Sequence, residues 1–287
     1  LQSIEEPEHV SLEKMKNRED YIDNLRNIIA KKSYQRVLEK SPDDKRVIDS
    51  MMALSTAVNN LEHISDHCEC LIELVLEMEA PDLVEEFPYH DYFREIFKSI
   101  RLLSDGLFNC DIGTALAISD SEKKLDRFLE RDSEVIIQRL RRPEYPTRDL
   151  VNLLLVLRYL ERIGDALLNV GEAIILAVVG SQLKVKDYTS VRDSLNVGDE
   201  EFTLESLGVE TRSGCRIEKV NNPAGEERQV IFKRGKAAKI RGEKEMLQWW
   251  QEQFPGLTPR VVNYEAKGED GTLLLEYLRG RTFNQIL

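Results

Sequence analysis

The sequence predicts a mainly helical chain: an antiparallel helical bundle of two related halves, the first incomplete, followed by a small α+β unit. Three observations predict it. A short pattern, Glu and then Asp four residues later, occurs in paired order at Glu19/Asp23, Glu62/Asp66, Glu122/Asp126 and Glu161/Asp165. Apolar residues recur at three- and four-residue spacing through residues 12–179, the period of an amphipathic helix. Beyond Gly180 the composition changes, and short β-rich runs bounded by Asn, Pro and Gly take over.

The elements follow in order. Residues 12–39 and 42–79 read as a helical hairpin, with Ser41-Pro42-Asp43-Asp44 as the break that caps the second helix. The second half carries three helices, 91–109, 114–141 and 147–179, the last closed by Gly180. The halves match best at Leu61-Glu62-His63-Ile64-Ser65-Asp66 and Leu160-Glu161-Arg162-Ile163-Gly164-Asp165, where Leu, Glu, Ile and Asp coincide at a constant offset that Glu73 and Glu172 also keep. Upstream, residues 19–25 and 122–128 share an acidic start, an apolar Ile22 or Leu125, an Asp and an apolar end. Their offset is slightly larger, which the differing loops at 41–43 and 142–147 account for. The period is about twice the 20 to 50 residues of solenoid repeats, so two pseudo-symmetric halves of a bundle are expected. The opening half has two helices against three; truncation at the N-terminus would explain this, with residues 1–10 as an alternative remnant of the missing helix. The chain starts at Leu1 and stops at Leu287 inside an unfinished pattern, so a piece of a longer protein is expected.

Residues 184–199 are polar without a sustained period and read as a linker. Strands are expected at 215–220 and 229–233, flanking the hairpin turn Asn221-Asn222-Pro223-Ala224-Gly225. A helix over 237–253, ended by Pro255-Gly256, and strands at 261–264 and 272–277 complete the unit. The expected organisation is therefore a helical bundle over 1–182, a linker over 183–205 and an α+β unit over 206–287.

With 52 acidic against 40 basic residues the formal net charge is -12, which argues against nucleic acid or another polyanion as partner. Acids and bases balance from Glu200 onward, so the surplus negative charge belongs to the helices, where cations are the natural guests. Four cysteines without a framework of spacings point to a reducing compartment, and Cys68 and Cys70, two apart on a helix, face different directions. No signal peptide is visible. The apolar stretches 150–160 and 166–179 are separated by Glu161, Arg162 and Asp165, and each falls short of the ~18 residues of a membrane span. A cytoplasmic location without membrane insertion is expected; homo-oligomerisation is left open.

On a helix, positions i and i+4 share a face and i+11 returns to nearly the same angle, so Glu62, Asp66 and Glu73 align, as do Glu161, Asp165 and Glu172. Like charges four apart cost an isolated helix roughly 0.2 to 0.5 kcal/mol per pair, a penalty that a bound cation would remove. Oxygen-only ligands suit magnesium, manganese, calcium or iron. One such pair is ordinary solvated surface, but four in repeat register make Glu19, Asp23, Glu62, Asp66, Glu122, Asp126, Glu161 and Asp165 metal-ligand candidates. His63 and His67 sit one position off the stripe and are expected to point elsewhere. Gly164, mid-helix beside the acids, costs ~1 kcal/mol against Ala; it marks either the close approach of another helix or a tolerated weakness.

The run Arg158-Tyr159-Leu160-Glu161-Arg162-Ile163-Gly164-Asp165, continuing to Asn169 and Glu172, resembles the signature helix of the PhoU family of phosphate-uptake regulators. The resemblance covers most of residues 12–180. It implies two three-helix repeats whose Glu/Asp-x-x-x-Asp motifs bind iron, manganese or magnesium, singly or as multinuclear iron clusters, on the bundle surface. It also implies regulation of phosphate transport and signalling through contact with a membrane transporter and a sensor kinase rather than catalysis. The first half departs from the pattern in lacking its first helix and in carrying Ser65 and Cys70 where the second has Gly164 and Asn169.

In the C-terminal unit, Lys233 ends the strand Val230-Ile231-Phe232-Lys233, and Glu243 opens a helical stretch ten residues later. With residues 243–249, 258–262 and 273–280 this resembles the N-terminal lobe of aminoglycoside and choline phosphotransferases, a kinase-like fold. The resemblance implies Lys233 and Glu243 as an ion pair at the phosphates of ATP, Ser213 and Gly214 as the turn over them, and residues 276–278 as the adenine-side hinge. No His-Gly-Asp catalytic loop with a downstream Asn follows, so this polypeptide is not expected to transfer phosphate. The leading expectation is a metal-binding regulator of phosphate uptake. Its rivals are a fragment of a small-molecule phosphotransferase with a regulatory bundle, and a helical scaffold without metal.

Overall fold

Residues 12–39, 44–195, 202–206, 215–221 and 229–280 are described by a computed structural model. The chain divides into two compact units, Leu1–Ala177 and Val178–Leu287. The first is helical: α1 (Leu12–Leu38), α2 (Lys45–Leu76), a 3-10 turn (Pro81–Glu86), α3 (Tyr89–Asn109), α4 (Ile112–Leu140) and α5 (Thr147–Val179), the last two residues of α5 falling in the second unit. The helices expected from periodicity are all present, with shifts of a few residues at their ends.

Helix α5 is the centre of the core because its apolar positions are too many for one face: Leu150, Leu153, Val156, Leu157, Leu160, Ile163, Leu167 and Val170 are all buried. Polar groups fix its neighbours. Asp149, 1% exposed in the first turn of α5, accepts the backbone N–H of Glu79 at 3.2 Å and of Ala80 at 2.8 Å, tying the chain after α2 to the start of α5. Asp132 of α4, also buried, accepts from the Tyr92 hydroxyl of α3 at 3.0 Å and from the Arg131 guanidinium at 2.7 and 2.9 Å. Helix α4 starts two residues earlier than periodicity placed it because Asp111 is its N-cap, accepting from the N–H groups of Gly113 and Thr114. Cys110, at φ 51°, turns the chain from α3 into that cap.

The repeat is visible in space. α1 corresponds to α4 and α2 to α5, and among the described residues α3 has no counterpart. α2 and α5 run antiparallel: Asn169 donates to the Asn60 side chain at 3.0 Å, and about three turns away the Tyr159 hydroxyl meets the Cys70 thiol. Asn60 and Tyr159 are equivalent positions of the repeat, as are Cys70 and Asn169, so each contact is the other's image about an approximate two-fold axis. Midway between them lie Ser65 and Gly164, again equivalent positions.

The second unit corrects the expected linker. Residues Val185–Leu195 form helix α6, whose Val185, Tyr188, Val191 and Leu195 are buried at helical spacing, a short stripe hidden among polar residues. Then come β1 (Thr203–Ser206), β2 (Arg216–Asn221), β3 (Val230–Lys236), α7 (Ala237–Gln253), β4 (Val261–Lys267) and β5 (Asp270–Glu276). The sheet is antiparallel throughout, in the order β1-β2-β3-β5-β4. β1 has no expected counterpart, since four residues are too few to show alternation.

Alternation along β3 sends Lys233 to the face covered by α7 and Arg234 to the other, where α6 lies. There Asp187 of α6, 2% exposed, lies 3.2 Å from the Arg234 guanidinium, which also donates to Asp270 at 3.0 Å. Asn263 of β4 donates to Ser190 of α6 at 3.0 Å. Helix α6 is thus part of this unit. Removing the buried carboxylate takes one of the two acids that Arg234 meets and leaves it Asp270, so Asp187→Ala is expected to lower the unfolding free energy of the second unit by about 2 kcal/mol. Urea unfolding followed by tryptophan fluorescence checks it, because both tryptophans, Trp249 and Trp250, lie on α7.

Candidate functional site

The eight carboxylates singled out in the sequence fall into two clusters, one per repeat. Glu122 and Asp126 of α4 face Glu161 and Asp165 of α5. Gly164 leaves room for a neighbour: a Cβ there would lie 2.4 Å from Leu125 Cδ1, the tip of a side chain of α4. Leu125 stands between Glu122 and Asp126 in sequence, and Gly164 between Glu161 and Asp165. A side chain of α4 therefore packs onto Gly164 between the acids, while the backbone of α4 comes nearest to α5 at Gly171, where a Cβ would lie 3.3 Å from Ala115 Cα.

Burial has electrostatic consequences. Glu161 is 5% exposed; its Oε1 takes the Arg158 guanidinium at 2.9 Å, while its Oε2 is buried with no hydrogen-bond partner. Its carboxyl is pushed up to about 7, first by desolvation and then by Asp165 and Asp126, with Arg158 pulling the other way. Glu122 is likewise pushed up to about 7, by desolvation, then Asp126 and Asp165, against Lys123. Carboxyls so placed hold protons near neutral pH, or yield them to a hard cation. All four donors here are hard oxygens, but among the described residues the set of three whose ligand atoms come within 4.8 Å of one another is Glu62, His63 and Asp66 of the first repeat.

The first repeat brings Glu19 and Asp23 of α1 to Glu62 and Asp66 of α2. The Glu19 carboxyl is raised by desolvation and then by Asp66, Asp20, Glu69 and Asp23. Here cations are built in. Arg26 donates to Asp23 through Nε at 3.1 Å and through Nη2. His63 does not point away as its helical position implied: its Nδ1 lies 3.2 Å from Glu62 Oε2 and 3.9 Å from Asp66 Oδ2. It is drawn back across its own helix by the two acids that flank it. Arg26, Arg158 and Glu69 were missed in the sequence, although each lies three positions from a candidate acid, the spacing at which helical side chains meet.

In the second unit Lys233 donates to both carboxylate oxygens of Glu243, at 2.7 and 2.5 Å, joining strand to helix as expected. Ser213 and Gly214 lie outside the described residues. Of the expected hinge, the N–H groups of Glu276 and Tyr277 donate to Arg260 and Gln229 carbonyls within the sheet, and the Glu276 carboxylate is held by Arg260 at 3.1 Å.

A profile of the PhoU domain matches residues 1–75 and again 91–174, more than half of the chain. The chain belongs to the PhoU family. The two matches coincide with the two repeats, and the sheet lies beyond them. A Borreliella burgdorferi protein named phosphate-specific transport system accessory protein PhoU homolog is 22% identical over 146 residues, 47% of this chain and 63% of the relative. The chain thus spans under two thirds of that relative's length. A Clostridium acetobutylicum protein of the same name is 21% identical over 194 residues, 65% of this chain and 86% of the relative. The crystal structure of PhoU from Pseudomonas aeruginosa superposes with a TM-score of 0.52 at 20% identity, covering 59% of this chain and 82% of that one. That of the phosphate transport system regulatory protein PhoU from Streptococcus pneumoniae gives 0.50 at 18%, covering 60% and 81%. Both carry the PhoU fold. Among the described residues of this PhoU-family chain, no helix is long and apolar enough to cross a membrane.

Two acids with raised folded-state pKa values give a signed prediction for the PhoU helices. Their protonated forms are favoured by folding, so the stabilisation is complete below pH 4.5 and is lost as pH rises to about 7. The unfolding temperature of metal-free protein should therefore fall between pH 5 and pH 7.5. Glu161→Gln, uncharged at every pH, should reduce that slope without abolishing it, because Glu122, Glu19 and Asp49 are raised as well. Helical circular dichroism against temperature at four pH values is the measurement.

Proposed function

We propose that the helical unit is a metal-dependent regulator in phosphate uptake, acting in the cytoplasm through contacts with a phosphate transporter or its sensor kinase. Membership of the PhoU family supports the setting, as do relatives named accessory proteins of phosphate-specific transport systems. The observation that carries the metal is the buried, unsatisfied oxygen of Glu161 among Asp126, Asp165 and Glu122. Those four would hold iron, manganese or magnesium, which supplies the positive charge that the cluster otherwise obtains from protons. The acids give up protons as the ion is taken, and the α4/α5 face changes from one held by shared protons to one held by charge. That face, ordered or not, is what a partner reads.

Addition of manganese chloride at about 100 times its dissociation constant to chelator-stripped protein should stabilise the fold by roughly 2.7 kcal/mol. In a chain of this size that raises the unfolding temperature by roughly 5 to 10 °C. Glu161→Ala/Asp165→Ala should abolish the shift. A wild-type protein as indifferent to manganese as the double variant would leave a metal-free scaffold as the better reading.

A second reading concerns the C-terminal sheet. The Lys233–Glu243 pair and the strand order β1-β2-β3-β5-β4, with a helix between β3 and β4, support a partial phosphotransferase-like lobe that binds ATP. In this reading Lys233 meets the phosphates and Glu243 holds it in place. Magnesium-ATP at millimolar concentration should raise the tryptophan-monitored unfolding temperature by roughly 2 °C or more, and Lys233→Ala should remove the effect. No shift would withdraw nucleotide from this unit.

A further inference from the structure

We infer that α1 presents a docking face for a helix of another protein, an acidic amphipathic helix that takes in the first repeat the place α3 takes in the second. This partner surface does not depend on the metal reading. The repeat supplies the template. The offset that carries Glu19 to Glu122 and Asp23 to Asp126 carries Tyr21, Leu25 and Ile28 to Lys124, Phe128 and Arg131 of α4. Those three are where α4 meets α3: Lys124 donates to Glu95 at 3.0 Å, the Phe128 ring stands 5.4 Å from that of Tyr92, and Arg131 feels Tyr92 and Asp91. Among the described residues α3 has no counterpart in the first repeat, and Tyr21, Leu25 and Ile28 are 62%, 39% and 50% exposed. On α2, Leu61, Ile64 and Cys68 are only partly buried, whereas their equivalents Leu160, Ile163 and Leu167 are at most 2% exposed.

The chemistry of the occupant follows from the ends of this face. Arg18, Tyr21, Leu25, Ile28, Lys32 and Arg36 recur at three- and four-residue spacing, so an apolar centre is bounded by exposed cations along one stripe of the helix. In a chain of net charge -12, that stripe carries no acid. The covered stripe of α4 shows how such cations are met: Lys124 takes Glu95 of α3, and Arg139 takes Glu86 of the preceding 3-10 turn at 2.6 Å. A helix that covers α1 in the same manner brings acids to Arg18 on one side of its apolar contact and to Lys32 and Arg36 on the other. Tyr21, Leu25 and Ile28 then supply the anchoring area, and the cations choose the partner.

Fluorescence anisotropy on the whole chain tests this with two labelled peptides. One has the sequence of α3, Tyr89–Asn109; the other is made acidic by Lys98→Glu and Arg101→Glu, both exposed in α3, so its apolar face is unchanged. The acidic peptide should bind at least roughly tenfold tighter than the unaltered one. Leu25→Glu should weaken it by at least roughly tenfold. Arg18→Glu/Lys32→Glu should reverse the preference between the two peptides. Tyr34→Asp, at an exposed aromatic outside the stripe, should change nothing. Helical circular dichroism should match wild type throughout, because every altered site is exposed. Absence of binding, equal weakening by Tyr34→Asp, or an unchanged preference in the charge-reversed variant overturns the inference. Three other occupants would also overturn it: a dimer of this chain that Leu25→Glu dissolves, binding that emerges only when residues 1–11 are removed, and phosphatidylserine vesicles bound in place of the peptide.

Discussion

The contact of Gly164 with Leu125 is the constraint on which the rest of the acidic site depends. A residue without a side chain seats Leu125 of α4 on α5 where both helices carry an acid three residues before and one residue after. A larger residue would have to displace the end of the Leu125 side chain. In water the four carboxylates would be unremarkable surface charges; between packed helices they lose hydration and feel one another.

The two repeats show what the same pattern does under different neighbours. Both place Glu-x-x-x-Asp on adjacent helices, and both must deal with four negative charges. One repeat answers with a guanidinium and an imidazole from its own helices. The other has a guanidinium as well, Arg158 on Glu161, but carries the apolar Leu129 where the first has Arg26. The repeated motif thus fixes where the acids stand, while the residues beside them differ from one repeat to the other.

Much of the architecture was legible in the chain. The long helices were readable because each repeats its apolar positions over several turns, and α5, with its many fully buried positions, leaves little room for another reading. The acid pairs were readable because they repeat at matched offsets. Helix α6 was not, since its four buried residues are diluted by Lys, Asp, Ser and Arg in a stretch of eleven. The orientation of His63 was not either: a helical wheel places the Cβ, whereas the imidazole swings toward whichever carboxylate it can reach. Which acids are buried also escaped the sequence, for that follows from how closely two helices pack, and Ser65 and Gly164 differ by only a hydroxymethyl group.

The antiparallel crossing of α2 and α5 carries a consequence for ancestry. Asn60 meets Asn169 and Tyr159 meets Cys70, so each half offers its partner the surface it receives in return. Such an interface is self-complementary in the manner of a two-fold homodimer. A single ancestral half could close upon its own twin through this surface, and joining the twins in one polypeptide would then release each to mutate without its copy following. The unequal pairs to either side of the axis, amide with amide on one and phenol with thiol on the other, show how far the two halves now differ.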